Sequence, residues 1–458
     1  MKGKSLLILL AILISAIAVA QDEITKSFSL HSEALNEERS IQVYTPPQVN
    51  SIKQTYPVLY VFDGESLLWP TVNASSFMNK GSSLPQIPEV IVVSIKNNNR
   101  DRDMPVPQQI ASTNGAAQFL QFVADELVPY INDHYPVNGL NVLIGHSQGG
   151  LFVIYAGLKK PALFPFILSL DAPVTVNPSL LKEYQQKMTT ACTLNYFSAE
   201  TMYGWGTSFT MAQGCGSYRQ KRIEEETHET MPYKGIYDGL KFLFREHIPE
   251  QKDMPLSMLQ AYYKNLSDKY HCRYTIPDKI LLSSARENIS VSKKQVSLDL
   301  LEYYEKNYGT TQTSANLLAK ANAITKEPDK RVDYYLSNPG ASAEDLKPFM
   351  GKWKGTLIVP GGVNMDITWE IKKINNKYVM DARFMDEFNS RSDFLVVTAP
   401  GQIAWGRKHE GGGIYLSIGK LSANGRTITG TEDLIGFQMP DNVPAFKVNQ
   451  FEFNKIQE

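Results

Sequence analysis

The stretch that most constrains the fold is Leu143–Gly150, LIGHSQGG, in which Gly145 and Gly149 stand two residues before and after Ser147. It follows the apolar run LNVLI and precedes another, LFVIYAGL. A strand that leads into a helix without a loop must turn sharply, and glycines have no Cβ atoms to collide in so tight a corner. The stretch therefore predicts a strand–turn–helix corner that holds the Ser147 hydroxyl at the carboxyl edge of a sheet.

Short β-type runs alternate with helical patterns from about residue 27 to residue 246, which is typical of an α/β domain with a largely parallel sheet. Between two of these runs, apolar residues recur at helical spacing from Ala117 to Ile131. We predict a sheet with helices on both faces within residues 21–250. The predicted strands lie in residues 39–47, 56–64, 89–96, 140–145, 164–170, 193–200 and 219–226.

The rest of the chain changes character twice. Residues 251–342 are dominated by helical runs with a period near 34 residues, which predicts a helical connector of degenerate tetratricopeptide type. Residues 346–458 contain eight strand-like runs joined by turn sequences such as NNK and SANG, which predicts an antiparallel β-barrel. GKWKG at residues 351–355 resembles the Gly-x-Trp opening of lipocalin-like barrels, and a barrel of this size can enclose one small ligand.

The first residues predict export. Lys2 and Lys4 precede the apolar run Ser5–Ile17, and Ala18–Ala20 supplies a small-x-small cleavage site. We therefore expect a signal peptide over residues 1–20, cleavage after Ala20, and a periplasmic or secreted protein without stable membrane insertion. The alternative, a membrane anchor, is disfavoured because the run is shorter than the ~20 residues that a bilayer requires.

Composition limits the partners. The formal charge of −1 shows no basic excess, which argues against nucleic acid as a partner. The three cysteines allow at most one intramolecular disulfide. No Cys/His cluster has zinc-like spacing, so neither a metal nor an organic cofactor is expected.

Ser147 is predicted to be a nucleophile, because its glycine-flanked motif lies between a predicted buried strand and a predicted helix. A serine hydroxyl needs a base to take its proton, and in this fold class the histidine follows the last strand. His228 meets that condition, since it lies between a strand-like run and a helical one. His247, His271 and His409 are predicted to be packing or surface residues.

The acid that orients His228 is predicted to be Glu200, with Asp171 as the alternative. Each ends a predicted strand, so either carboxylate could reach the imidazole N–H and stabilise the imidazolium. Residues 224–226 are also acidic, but an extended backbone would scatter their side chains on alternate faces. They are interpreted as solvated strand residues.

Two backbone N–H groups are expected to stabilise an oxyanion, those of Gln148 at the helix start and of Glu65 after the VLYVF strand. The N–H of Gly64 is the alternative to that of Glu65. The polar segment NNNRDRDMPV, residues 97–106, is interpreted as a salt-bridged loop scaffold, with a substrate rim as the alternative. An aromatic wall for the substrate, or plain packing, would account for Trp69, Tyr203 and Trp205.

Four blocks resemble the esterase-D-like esterase family, and they occur in that family's order: YPVLYVFDGE, NNNRDRDMPV, LIGHSQGG and ETHETMPYKGIYDGLKFLF. The family includes siderophore, feruloyl and acetyl-xylan esterases, formylglutathione hydrolases and mycolyl transferases. The resemblance implies an α/β-hydrolase fold, with the family's nucleophile at Ser147 and its histidine at His228. It covers about half of the chain and leaves the C-terminal barrel outside.

These observations predict an exported serine esterase that hydrolyses a small-molecule carboxylic ester, of acyl, aryl or siderophore type, through an acyl-enzyme. Two alternatives remain. One is an acyltransferase on the same fold, in which another hydroxyl replaces water. The other is a non-catalytic protein that binds a ligand in the barrel.

Overall fold

A computed structural model describes residues 25–456 with several gaps, and it divides the chain into two compact units. The gaps are residues 48, 50–53, 81–84, 105–114, 175–176, 188–193, 201–216, 326–327, 386–387, 410–412 and 437–446. The first unit comprises Met1–Gln251, Ser257–Ile280 and Asn307–Gly309. The second unit comprises Lys252–Leu256, Leu281–Lys306 and Thr310–Glu458.

The first unit is built on an eight-stranded sheet in the order β1-β2-β4-β3-β5-β6-β7-β8. Within the group β3 to β8, every pair of neighbouring strands is parallel. Strand β2 is antiparallel to both β1 and β4. All seven predicted strands are present, and β1 was missed. The strands are β1 (Thr25–Ser32), β2 (Glu37–Tyr44), β3 (Tyr56–Val61), β4 (Ile91–Ile95), β5 (Val137–His146), β6 (Phe166–Leu170), β7 (Leu194–Glu200) and β8 (Ser217–Ile223).

Both faces of this sheet are covered. Successive strand residues point to opposite faces, and every residue of β3, β4 and β6 is buried. The helix predicted from Ala117 to Ile131 is confirmed, and its apolar residues join the core against the central strands. The helices are α1 (Gly64–Lys80), α2 (Arg100–Asp103), α3 (Gly115–Gln121), a π turn (Phe122–Leu127), α4 (Val128–His134), α5 (Gln148–Lys159), α6 (Pro178–Lys187) and α7 (Met231–Leu243).

The predicted helical connector is confirmed as helical, but the two units share its residues. Its tetratricopeptide-like pairing stays a prediction. The helices are α8 (Leu256–Tyr270), α9 (Asp278–Ser290), α10 (Lys294–Tyr308), α11 (Gln312–Asn322), α12 (Lys330–Ser337) and α13 (Ala343–Leu346).

The second unit contains a nine-stranded antiparallel sheet in the order β12-β11-β10-β9-β17-β16-β15-β14-β13. Eight strands were predicted; β12 was missed because its four residues, FNSR, carry no apolar alternation. The strands are β9 (Lys352–Ile358), β10 (Met365–Ile374), β11 (Lys377–Phe384), β12 (Phe388–Arg391), β13 (Phe394–Ala399), β14 (Gln402–Lys408), β15 (Ile414–Leu421), β16 (Thr427–Ile435) and β17 (Asn449–Lys455).

This sheet is curved. Its two edge strands, β12 and β13, follow each other in the chain with only Ser392 and Asp393 between them. Because so short a link spans only about 10 Å, the two edges lie close together at this end. One face carries an apolar core centred on Trp353 and Trp369. Full closure into a lipocalin-like barrel stays a prediction.

Most of the residues on which the predictions of export and of a disulfide depend lie outside the described part of the chain. These are the signal peptide, residues 1–20, together with Cys192 and Cys215. Cys272 is a free thiol. In the described segments, no helix combines the length and the apolar character needed to cross a bilayer.

Candidate active site

The predicted strand–turn–helix corner is present around Ser147. Strand β5 ends at His146 and helix α5 begins at Gln148, so Ser147 alone makes the turn, with φ 55° and ψ −119°. A Cβ atom on Gly145 would lie 2.2 Å from the carbonyl oxygen of Gly149, and one on Gly149 would lie 3.0 Å from Asp63 Oδ2. Gly145 is therefore required by the close approach of the backbone, and Gly149 lies in tight contact with the Asp63 side chain.

His228 lies in the loop between β8 and α7, as predicted, and its acid partner is Asp171. The Nδ1 atom of His228 is 2.6 Å from Asp171 Oδ2, and the Asp171 side chain is only 2% exposed. A carboxylate can only accept a hydrogen bond, so Nδ1 of His228 carries the proton and Nε2 is the basic nitrogen of the imidazole. This pair is oriented as a base that removes a proton from a hydroxyl.

The carboxylate that contacts His228 in the structure is Asp171, the alternative to the preferred Glu200, and a role for Glu200 stays a prediction. Asp171 directly follows β6, which is the neighbour of β5, whereas Glu200 ends β7, one strand farther away. Adjacent strands are about 4.8 Å apart, so the end of β6 is nearer to the corner that carries Ser147. The side chain of Glu200 lies outside the described part of the structure.

Backbone and ring contacts tie the corner to the His228–Asp171 pair. The N–H of Ser147 donates to the carbonyl oxygen of Leu170 at 2.9 Å, next to Asp171. The ring of His146, which precedes Ser147, lies against the ring of His228 with 4.3 Å between the centroids. The ends of β5 and β6 and the loop after β8 thus bring the three residues to one edge of the sheet.

His146 is a neutral neighbour to this pair. Burial, with a smaller effect of the charge on His228, lowers the pKa of His146 to about 4. At neutral pH its imidazole is uncharged and does not repel an imidazolium at His228. No sequence pattern indicated this role, because only the fold places the two rings together.

Arg100 holds both residues that flank Ser147. Its Nη1 donates to Gln148 Oε1 at 2.7 Å, and its Nη2 donates to the carbonyl oxygen of His146 at 3.2 Å. Its Nε and Nη2 also donate to the two carboxylate oxygens of Asp63 at 2.6 and 3.0 Å. Asp63 ends the segment after β3 and has a φ of 54°. This bidentate ion pair braces the corner from the adjacent strand end.

The described part of the predicted segment, residues 97–104, also contains the salt bridges expected of a scaffold. Asp103 and Arg39 form an ion pair with both side chains fully buried. Arg102 bonds Glu37 and Asp103, so α2 is tied to β2. A buried pair of this kind is costly to break by removing one partner. Sequence reasoning placed Asp63 in the expected oxyanion loop but missed its ion pair with Arg100.

The predicted oxyanion donors both lie in first turns of helices. Gln148 is the first residue of α5, and Glu65 is the second residue of α1. Their strands, β5 and β3, are neighbours, and helix N-termini favour negative charge. Gly64 is explained by packing, since a Cβ there would lie 2.1 Å from Ser94 Oγ. The donor roles themselves stay predictions.

Among the described residues, no contact brings the other candidates to this edge. Trp69 is exposed on α1, and His271 is exposed after α8. His247 is 3% exposed, with no hydrogen-bond partner for either ring nitrogen among the described residues. Tyr203 and Trp205 lie outside the described residues.

Buried His247 predicts a loss of stability in acid. Burial lowers its pKa from 6.5 to about 3, so between these values the unfolded chain binds a proton that the folded protein does not. The free energy of unfolding therefore falls as the pH falls through this range. We expect His247→Leu to reduce the difference in unfolding free energy between pH 7 and pH 4 by about 3 kcal/mol.

Urea titrations at the two pH values measure this difference. His134→Gln, a change at an exposed histidine, serves as the control and should leave the pH dependence unaltered. An undiminished pH dependence in His247→Leu would contradict the assignment.

Comparison with known proteins agrees with this geometry. Residues 32–227 match a family model described as "Putative esterase". The ferri-bacillibactin esterase BesA of Bacillus subtilis is 25% identical over 170 residues, which cover 32% of this chain and 59% of that protein. The iron(III) enterobactin esterase of Dickeya dadantii is 26% identical over 249 residues, covering 48% and 54%. The chain thus spans somewhat more than half the length of these relatives.

Solved structures show the same fold. An IroE-like serine hydrolase from Shewanella oneidensis superposes with a TM-score of 0.53 and 26% identity, covering 62% of this chain and 99% of that one. An uncharacterised protein from Capnocytophaga ochracea covers 70% of this chain and 95% of its own, with a TM-score of 0.50 and 20% identity, which shows the fold alone. Over residues 32–227, the α/β unit of this chain is therefore similar to the esterase family that the model describes.

Proposed function

We propose that the protein is a serine esterase that hydrolyses a carboxylic ester through an acyl-enzyme at Ser147. The observation that carries this proposal is the short contact between His228 and buried Asp171, at the sheet edge where Ser147 makes its strained turn. A serine, an oriented imidazole and a buried carboxylate are the groups that acyl transfer requires.

In the proposed mechanism, Nε2 of His228 takes the Ser147 proton as Oγ attacks the ester carbonyl. The carbonyl oxygen becomes an oxyanion, for which the N–H groups of Gln148 and Glu65 are the proposed donors. The tetrahedral intermediate collapses, His228 returns the proton to the leaving alcohol, and the acyl group stays on Ser147. Water then attacks the acyl carbonyl while Nε2 of His228 takes its proton, and His228 returns that proton to Ser147 Oγ as the bond between Oγ and the acyl carbon breaks and the acid leaves.

Electrostatics support this sequence of steps. Asp171 is buried beside the imidazole, so it stabilises the imidazolium formed during each proton transfer. His146, with a pKa lowered to about 4, adds no opposing charge. Arg100 keeps the residues on each side of Ser147 in place, so little reorganisation is needed during the reaction.

The proposed substrate class is a small ester of the siderophore type. Two relatives are named as esterases for ferri-bacillibactin and for iron(III) enterobactin, which supports a siderophore-type ester. Export to the periplasm or the medium is part of the proposal and rests on the signal-peptide pattern of residues 1–20. An acyltransferase remains the second candidate, because only the acceptor differs.

The test is a substrate panel with the purified chain. We expect a fluorophosphonate to label the protein at one site. We also expect the protein to hydrolyse aryl esters and a triscatecholate trilactone, which serves as the siderophore-type substrate. Product analysis with and without an added alcohol separates hydrolysis from acyl transfer. A native protein that neither reacts with the fluorophosphonate nor turns over any ester would refute the proposal.

A further inference from the structure

We propose that the second unit contains a binding pocket for a small organic anion with an apolar body. The pocket has a volume of about 510 Å³, which lies in the range of small-molecule sites. Its lining residues all belong to the second unit. The proposal therefore goes beyond the esterase function and does not depend on Ser147.

Strand register shows that the pocket lies on the core face of the sheet. Successive side chains of a strand alternate between faces, and Leu357 shares the face of buried Trp353 on β9. Met365 lies opposite Leu357 and shares the face of Trp369 on β10. The pocket is therefore continuous with the face that holds the tryptophan core.

The same register brings polar side chains from other strands to this end of the face. Arg407 on β14 lies two residues beyond Trp405, which is partly buried against the core, and Arg407 pairs with Tyr415 on β15. Glu432 on β16 pairs with Asn449 on β17. Side chains from seven strands line one pocket, which is an arrangement that a single small ligand would fill.

Arg407 is held in the pocket by aromatic rings. Its guanidinium carbon is 5.7 Å from the ring centroids of both Phe384 and Tyr415. Its Nη1 donates a hydrogen bond to Ser390 Oγ at 2.9 Å. A guanidinium has five N–H donors, so a planar pair of ligand oxygens can be bound through two of them.

The charge of the pocket favours an anion. Arg407 and Lys447 contribute two positive charges, and Glu432 contributes one negative charge. The Glu432 carboxylate already accepts hydrogen bonds from Ser417 Oγ and from Asn449 Nδ2, each at 3.2 Å. Asn449 is itself only 5% exposed. The acidic group is therefore satisfied by the protein, whereas the cations face the pocket.

The chemistry of the lining defines the ligand. Leu357, Val359, Met365 and Phe384 provide an apolar wall, which suits a flat or branched hydrocarbon body. The cations suit a carboxylate or sulfonate at one end of the molecule. A neutral molecule of the same shape would lose the charged contact and keep the apolar one.

Two fluorescent probes test this directly with the full-length protein. 8-Anilinonaphthalene-1-sulfonate is an aromatic anion, and N-phenyl-1-naphthylamine has similar rings without the charge. We expect native protein to bind the anion saturably at one site. Arg407→Gln should raise the Kd for the anion about tenfold and change the Kd for the neutral probe less than about threefold.

Two further variants localise the site. Arg383→Gln removes an exposed arginine from the opposite face of β11 and should leave both affinities unchanged. Met365→Trp fills the pocket and should weaken both probes about tenfold, with melting temperatures confirming that each variant is folded. The proposal is overturned if native protein shows no saturable binding, if neither Arg407→Gln nor Met365→Trp weakens the anion, or if Arg407→Gln weakens both probes equally.

Discussion

Replacing Ser147 with alanine is expected to lower kcat/KM for ester hydrolysis by about 10⁴- to 10⁶-fold. The change removes the Oγ atom that forms the acyl-enzyme in the proposed mechanism. The fold should be retained, because alanine and serine meet the same constraints at a φ of 55°. Hydrolysis of an aryl ester, followed by absorbance at high enzyme concentration, measures the loss.

The matched control is Ser179→Ala, which alters an exposed serine on α6 that bonds only Asn177 in the described structure. We expect its kcat/KM to equal that of the native protein. If Ser147→Ala keeps a tenth or more of the native activity while remaining folded, the nucleophile is elsewhere and the proposed mechanism is wrong.

Asp171→Asn is expected to lower kcat by about 10³- to 10⁴-fold with little change in KM. An amide in this position can donate to the imidazole, which favours the tautomer with the proton on the wrong nitrogen, and it no longer stabilises the imidazolium. Asn also tolerates positive φ, so the φ of 45° at this position should not disrupt the fold. Steady-state kinetics of the variant give kcat and KM separately.

Glu200→Gln is the comparison that decides between the two carboxylates. We expect its kcat to remain within about threefold of the native value, since the carboxylate bonded to His228 is Asp171. The reverse result, a large loss in Glu200→Gln and a small one in Asp171→Asn, would show that Glu200 orients His228 during turnover.

Local sequence patterns were sufficient for several features of this protein. The corner at Ser147 is determined largely by neighbouring residues, because β5, the two glycines and α5 are contiguous and a Cβ on Gly145 would meet the carbonyl oxygen of nearby Gly149. The alternation of buried strands and helices follows from apolar periodicity in the same way. The loop position of His228 was predicted correctly because a strand-like run precedes it and a helical run follows it in the sequence.

The partner of that histidine was decided by tertiary structure. Asp171 and Glu200 end consecutive strands and have similar local sequence, so only the strand order, which places β6 beside β5, separates them. The ion pair of Arg100 with Asp63 likewise joins the ends of two parallel strands that are far apart in the chain. Such pairings depend on which strands become neighbours, and apolar periodicity within a strand carries no information about that.

The C-terminal segment shows the same division. Sequence alone determined that it is an antiparallel β unit, because alternating residues and turn sequences act over a few positions. The pocket around Arg407 depends on register across seven strands and on the curvature of the sheet. Contacts between residues distant in the chain set both properties, so the tertiary structure was needed to find the site.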